Sequence, residues 1–105
     1  FLKKHGIKIH KSKLNDDYQL DLKSILKKIK KLGVNHLLVE GGKILTSVFI
    51  KENLLNEFYL FKSSKKLANK GKNNITKILP KLNKKFDNKN KINTYLDKDE
   101  VINYY

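Results

Sequence analysis

The residues best suited to chemistry lie in Leu37-Leu38-Val39-Glu40-Gly41-Gly42-Lys43-Ile44-Leu45. An apolar run delivers the chain to a carboxylate and a double glycine, and a helix-forming run leaves at once. Glycines let the backbone approach a ligand closely and adopt positive φ, and the free amides at a helix start carry partial positive charge suited to phosphate. In open α/β sheets ligands bind beyond the carboxyl ends of the strands, which is where Glu40 would stand. A bare Gly-Gly pair fits a tight strand-to-helix turn equally well. Glu40 can also be read as a carboxylate that caps the next helix or pairs with a Lys.

Other constellations carry less. His36 and Glu40 are four apart, a metal-ligand spacing on a helix, but in a strand such residues are roughly 13 Å distant. His5 and His10 have no acidic cluster beside them and read as surface or partly buried side chains. Phe58, Tyr59 and Phe61 read as sheet packing rather than a base-stacking platform. There is no Ser-His-Asp order and no P-loop signature. The absence of Cys removes disulfides, thiolate zinc sites and cysteine nucleophiles. No metal is expected.

The elements that must position the Glu40 loop follow from periodicity. Gly6 to His10 alternates and predicts a short strand, followed by a polar loop over Lys11 to Asp17. Leu22, Ile25, Leu26, Ile29 and Leu32 fall at helical spacing, with Asp21 placed as N-cap and Gly33 as a left-handed terminator. His36 to Val39 reads as a buried strand ending at the glycines. Ile44, Leu45, Val48 and Phe49 give the next helix one apolar face, ending near Asn53. Glu57 to Phe61 predicts a strand, and Lys65 to Lys81, with Gly71 and Pro80, reads as mostly irregular. Lys84 to Leu96 and Glu100 to Tyr105, around the polar turn Asp97-Lys98-Asp99, predict a terminal hairpin. This order predicts an α/β fold in which helices cover a mostly parallel sheet.

The chain has 105 residues, which suits one modest domain. Its formal charge of +14 invites a nucleic-acid reading. All 24 basic residues, however, are Lys, spread along the chain among many Asn and Ile. Phosphate and base-edge recognition usually draws on the guanidinium fork, so a solvated surface is the better account. No apolar run approaches the roughly 18 residues of a membrane span, and no charged-then-apolar leader opens the chain. We therefore expect a soluble, cytoplasmic protein with no membrane and no specific nucleic-acid partner. Phe1 opens the sequence and no Met occurs, so a piece of a longer chain is expected.

From Leu20 to Asn74 the sequence resembles the C-terminal reductase domain of the bifunctional riboflavin-biosynthesis deaminase-reductase family. The resemblance rests on the Asp21-Leu22 helix start, on Leu32-Gly33 shortly before a strand, on Leu38-Val39-Glu40-Gly41-Gly42, and on Leu54-Leu55-Asn56-Glu57 before a further strand. Leu55 and Asn56 depart from the family's usual Leu-Val-Asp-Glu. Ser63-Ser64-Lys65-Lys66-Leu67 stands where the family tends to have Ala-Pro and a Leu-Leu-Gly turn.

The resemblance implies a three-layer fold similar to dihydrofolate reductase, here partial. It also implies NADPH-dependent reduction of 5-amino-6-(5-phosphoribosylamino)uracil to the ribitylamino product. By the same carry-over Glu40 matches the acidic position at the substrate, and Gly41, Gly42, Lys43, Ile44, Leu45, Thr46, Ser47 and Val48 match the segment along the cofactor diphosphate. Backbone amides and the hydroxyls of Thr46 and Ser47 would serve as donors there. No residue is assigned direct proton transfer, and Lys43 is equally a solvated side chain at a helix start. Homodimerisation is implied by resemblance alone.

Residues 1–105 would then be the C-terminal portion of a single reductase domain, without its first strands and without the deaminase domain. Such a piece should be inactive alone and prone to instability or association through an unpaired sheet edge. Two alternatives stand beside this reading: another dihydrofolate-reductase-like pterin or pyrimidine reductase, or a small basic nucleic-acid-binding module.

Overall fold

A computed structural model describes residues 2–17, 19–65, 77–95 and 97–105. The chain divides into two compact units, Phe1–Val39 and Glu40–Tyr105.

In the first unit a 3-10 turn, Leu2–His5, is followed by an isolated antiparallel bridge between Leu14 and Leu20 and by helix α1, Leu22–Lys31. Asp21 is the N-cap, and its Oδ1 accepts the Ser24 amide at 3.1 Å. The far end closes on Gly33, at φ +87. The Gly33 amide donates to the Lys30 carbonyl (3.0 Å) and the Val34 amide to that of Ile29 (3.4 Å), the paired bonds of a Schellman motif. Both ends of α1 thus form as the sequence predicts. No α1 residue is buried, and the exposed Lys28 ammonium reaches the Lys11 carbonyl at 2.6 Å.

Two expected strands do not form here. Residues 7–10 and 34–39 belong to no helix or strand, and Ile7, Ile9, Leu37 and Leu38 are exposed, Leu38 by 81%. A strand exists only as part of a ladder, and among the described residues neither segment has one. The apolar pattern alone cannot supply the missing hydrogen-bond partner.

The second unit runs α2 (Lys43–Lys51), β1 (Phe58–Lys62), α3 (Leu79–Lys85), β2 (Lys89–Ile92) and β3 (Glu100–Tyr104). Its sheet has the order β1-β3-β2, with β3 central and both pairings antiparallel. The register sets Phe58 opposite Tyr104 and Lys62 opposite Glu100 on one side, and Ile92 opposite Val101 on the other. The terminal hairpin is therefore present, but the expected mostly parallel sheet is replaced by an antiparallel one. The parallel expectation depended on a strand at residues 36–39 joined to β1 by a helical crossover, and that strand is not in the ladder. The coarse class, mixed α/β, stands.

Helix α3 corrects a second expectation, since its first residues fall in the stretch read as irregular. Pro80 lies in its first turn, where a missing amide costs nothing and φ is already helical. The segment after it, read as a long β-favouring run from Lys84, supplies the end of α3 before the short β2. The rest of that irregular stretch, residues 66–76, lies outside the described residues.

Helix α3 covers one face of the sheet. Ile50 of α2, Ile78, Leu82, Phe86 and Tyr104 form the core, with Leu55, Phe58, Leu60 and Ile102 packed against it. Leu82 is wholly buried. The Tyr104 ring meets Phe58 edge-on at 6.3 Å between centroids and Phe86 at 6.4 Å, spacings at which aromatic pairs add to burial. Helix α2 ends in a second Schellman pair, Leu54 amide to Phe49 carbonyl (2.9 Å) and Asn53 amide to Ile50 carbonyl (3.2 Å). Asn53 takes the left-handed position at φ 57, and the Lys85 ammonium donates to its Oδ1.

Two carboxylates tie the open end of the sheet. Asp99 accepts the Ser64 amide at 2.8 Å and the hydroxyls of Ser64 and Ser63 at 3.1 and 3.2 Å. These bonds, the Ser64 amide first, hold its carboxyl below the usual range. Glu100 lies between Lys91 at 2.6 Å and Lys62 at 3.5 Å, and chiefly the Lys91 bond lowers it likewise.

Truncation of the buried Leu82 to Ala should cost about 3 kcal/mol, measured by denaturant unfolding. The carboxylates predict an acid dependence. A depressed folded pKa contributes stability that is present above the unfolded value of about 4 and is lost as pH falls through the lower folded value. The unfolding midpoint should therefore fall as pH is lowered below about 4, and Asp99→Asn should flatten that fall. An unchanged acid limb in Asp99→Asn would refute the role given to the Ser63-Ser64 contacts.

Candidate functional site

The second unit begins at Glu40, and the loop Glu40-Gly41-Gly42 leads directly into α2. Burial grades along this segment. Residues 40–45 are exposed, with Ile44 at 78%, Thr46 to Val48 are half-buried, and Phe49 and Ile50 are buried. The helix is thus embedded by its last turns and presents its first turn to solvent.

Gly42 is the N-cap residue, with φ −72 and ψ 178, and no side chain caps the helix. The first helical bond is from the Thr46 amide to the Gly42 carbonyl at 3.1 Å. The amides of Gly42, Lys43, Ile44 and Leu45 precede it and have no partner within the helix, which leaves them and the dipole's positive end available to an anion. Lys43 is the first helical residue and adds an exposed cation.

The glycines work differently from the expectation of positive φ. Among the described residues the positive-φ glycines are Gly6 and Gly33, so neither Gly41 nor Gly42 uses that freedom. A Cβ on Gly41 would meet Leu45 Cδ2 at 3.0 Å, its Cβ at 3.2 Å and its Cγ at 3.3 Å. Gly41 is small because Leu45 lies over it. A Cβ on Gly42 would meet nothing within 4 Å, so the position a side chain would take there is open.

The hydroxyls are committed within the segment. Thr46 Oγ1 donates to the Gly41 carbonyl at 3.3 Å and Ser47 Oγ to the Lys43 carbonyl at 2.7 Å. While those bonds hold, the backbone amides are the donors the segment offers. Sequence spacing gives no sign of the Thr46 bond, because it spans the glycine pair.

Glu40 neither caps α2 nor pairs with a described Lys. Among the described residues its carboxylate accepts no hydrogen bond. His36 is exposed, and among the described residues no three His, Asp or Glu side chains gather as metal ligands. Among the same residues no helix is long and apolar enough to cross a membrane. In the first unit, a shallow apolar groove between His10, Ser12, Leu20, Ile25 and Ile29 has no counterpart in the sequence reading.

Residues 3–92 match the RibD C-terminal domain, and the chain belongs to that family. It is also similar to the riboflavin biosynthesis protein RibD of Buchnera aphidicola subsp. Baizongia pistaciae (strain Bp), with 34% identity over 58 residues. That stretch is 55% of this chain and 16% of the relative's length. No solved structure matches the chain.

The geometry separates the two glycines experimentally. Gly41→Ala should destabilise the protein by about 1 kcal/mol through its contact with Leu45, and the effect should shrink when Leu45→Ala is combined with it. Gly42→Ala should leave thermal unfolding unchanged, since its φ suits Ala and its surroundings are empty. A large loss of stability in Gly42→Ala would show that the open space is not there.

Proposed function

We propose that the chain acts as the C-terminal portion of the reductase domain of a riboflavin-biosynthesis enzyme, reducing 5-amino-6-(5-phosphoribosylamino)uracil to the ribitylamino product. The observation that carries this reading is the family match over residues 3–92 together with an exposed, uncapped helix start directly after Glu40-Gly41-Gly42. In this proposal the fold is completed to a dihydrofolate-reductase-like three-layer domain, paired as a homodimer in the cytoplasm.

NADPH supplies the hydride when bound. The residues present fit its diphosphate. The unpartnered amides of residues 42–45 point positive charge at an open approach, and nothing occupies the position of a Gly42 Cβ. In this reading Gly41 to Val48 form the cofactor segment, with the amides as donors and Lys43 adding long-range attraction. Glu40, whose carboxylate accepts no bond from the described residues, is assigned to the substrate. There it would hold polar groups of the sugar and stabilise positive charge as the ring-opened form is reduced.

The test uses the full-length protein with NADPH and the phosphoribosylaminopyrimidine, following NADPH oxidation by absorbance. Turnover is expected in the wild type. Glu40→Gln should lower kcat/KM by about 10-fold to 100-fold at unchanged thermal stability, as expected when one charged contact to substrate is neutralised. Unchanged turnover in Glu40→Gln sinks the role given to that residue. Absence of NADPH oxidation in the wild type sinks the reaction.

A further inference from the structure

We propose that Thr46 is a positioning residue whose hydroxyl aims the Gly42 and Lys43 amides out of the helix start. One residue holds both glycine carbonyls. The Thr46 amide donates to the Gly42 carbonyl at 3.1 Å and its Oγ1 to the Gly41 carbonyl at 3.3 Å. Peptide units are planar and trans, as they are throughout the described residues, so the C=O and N–H of each unit point in opposite directions. Turning the Gly41 and Gly42 carbonyls toward Thr46 therefore turns the Gly42 and Lys43 amides away from the helix, toward the open side.

The two bonds differ in what they require. Any residue at position 46 supplies the amide bond, whereas the bond to Gly41 needs a hydroxyl. The Gly41–Gly42 peptide is flanked by glycine on both sides, so its rotation meets little steric resistance and an external bond is needed to fix it. The Leu45 side chain over Gly41 limits where that residue's Cα can go but accepts no hydrogen bond from the peptide. With its proton on the Gly41 carbonyl, the Thr46 hydroxyl retains only lone pairs and cannot donate to a phosphate. Its effect on an anion therefore passes through the amides. The identity of that anion as the cofactor diphosphate rests on the function proposed above.

The experiment compares Thr46→Val, which keeps the shape and removes the hydroxyl, with Thr46→Ser, which keeps the hydroxyl. In the full-length protein Thr46→Val should raise KM for NADPH about three- to tenfold with a smaller change in kcat, and Thr46→Ser should restore it. Hydrogen exchange of the Gly42 and Lys43 amides, followed by NMR without cofactor, should change in the same sense in Thr46→Val and revert in Thr46→Ser. Equal behaviour of the Val and Ser variants overturns the proposal, as does a KM rise that merely tracks lost thermal stability. If the wild type neither binds nor oxidises NADPH, the cofactor reading fails, and the exchange comparison still decides the role of Thr46.

Discussion

Helix α2 is held by one end. Ile50 enters the core beside Leu82, Phe86 and Tyr104, while the first turn, from Lys43 through Leu45, remains exposed. Burial of Ile50, with Phe49 beside it also buried, anchors the far end of α2. A side chain of this size contributes about 2 to 3 kcal/mol when taken from water. The Asn53 turn and its bond from Lys85 hold the same end. A rigid helix anchored in this way presents its N-terminal amides in a fixed direction without burying them, and the glycine loop inherits its position from that anchorage. The antiparallel sheet matters to the site through this contact, because β3 carries Tyr104 into the core.

Much of the local structure was legible in the residues. Asp21 and Gly33 announce the two ends of α1 because capping is decided within a few residues, by a side-chain acceptor at one end and tolerance of positive φ at the other. The hairpin around Asp97-Lys98-Asp99 was legible for the same reason, with Asp97 at φ 52 taking a conformation Asp tolerates. Family membership was legible from Glu40-Gly41-Gly42 and its flanking elements, with residues 3–92 matching the domain. What failed was long-range. Periodicity at residues 6–10 and 36–39 identifies segments suited to a ladder but cannot say which strand lies alongside. The stretch that contains Pro80 reads as irregular, although a missing amide is harmless in the first turn of a helix.

Within residues 40–48, residue types do not reveal how the side chains and amides are engaged. The double glycine suggested conformational freedom, yet both residues occupy ordinary backbone conformations. Thr46 and Ser47 suggested donors to a ligand, yet both donate to carbonyls of the same loop and helix. A hydroxyl's direction depends on which acceptor lies one turn back, a property of the folded helix rather than of composition. Acidic residues divide similarly. Asp21, Glu57, Asp99 and Glu100 each accept a hydrogen bond, whereas Glu40, like Asp16, Asp17, Glu52, Asp87 and Asp97, accepts none from the described residues, and residue type does not tell the two groups apart.

The two glycines consequently express unlike constraints. Gly41 is favoured by packing, because the first turn of α2 brings the Leu45 side chain to 3.0 Å from where a Cβ would stand, so a larger residue there would have to displace it. Gly42 is under no such demand, since its backbone suits any residue and its surroundings are empty. A small residue at an uncrowded helix start contributes little to stability, where Ser, Asp or Asn would cap the helix better. What glycine adds at position 42 is the absence of a Cβ beside the helix-start amides, in a place where no described atom lies within 4 Å. The two positions of the motif thus differ in kind: a side chain at 41 would meet Leu45, and a side chain at 42 would meet open space.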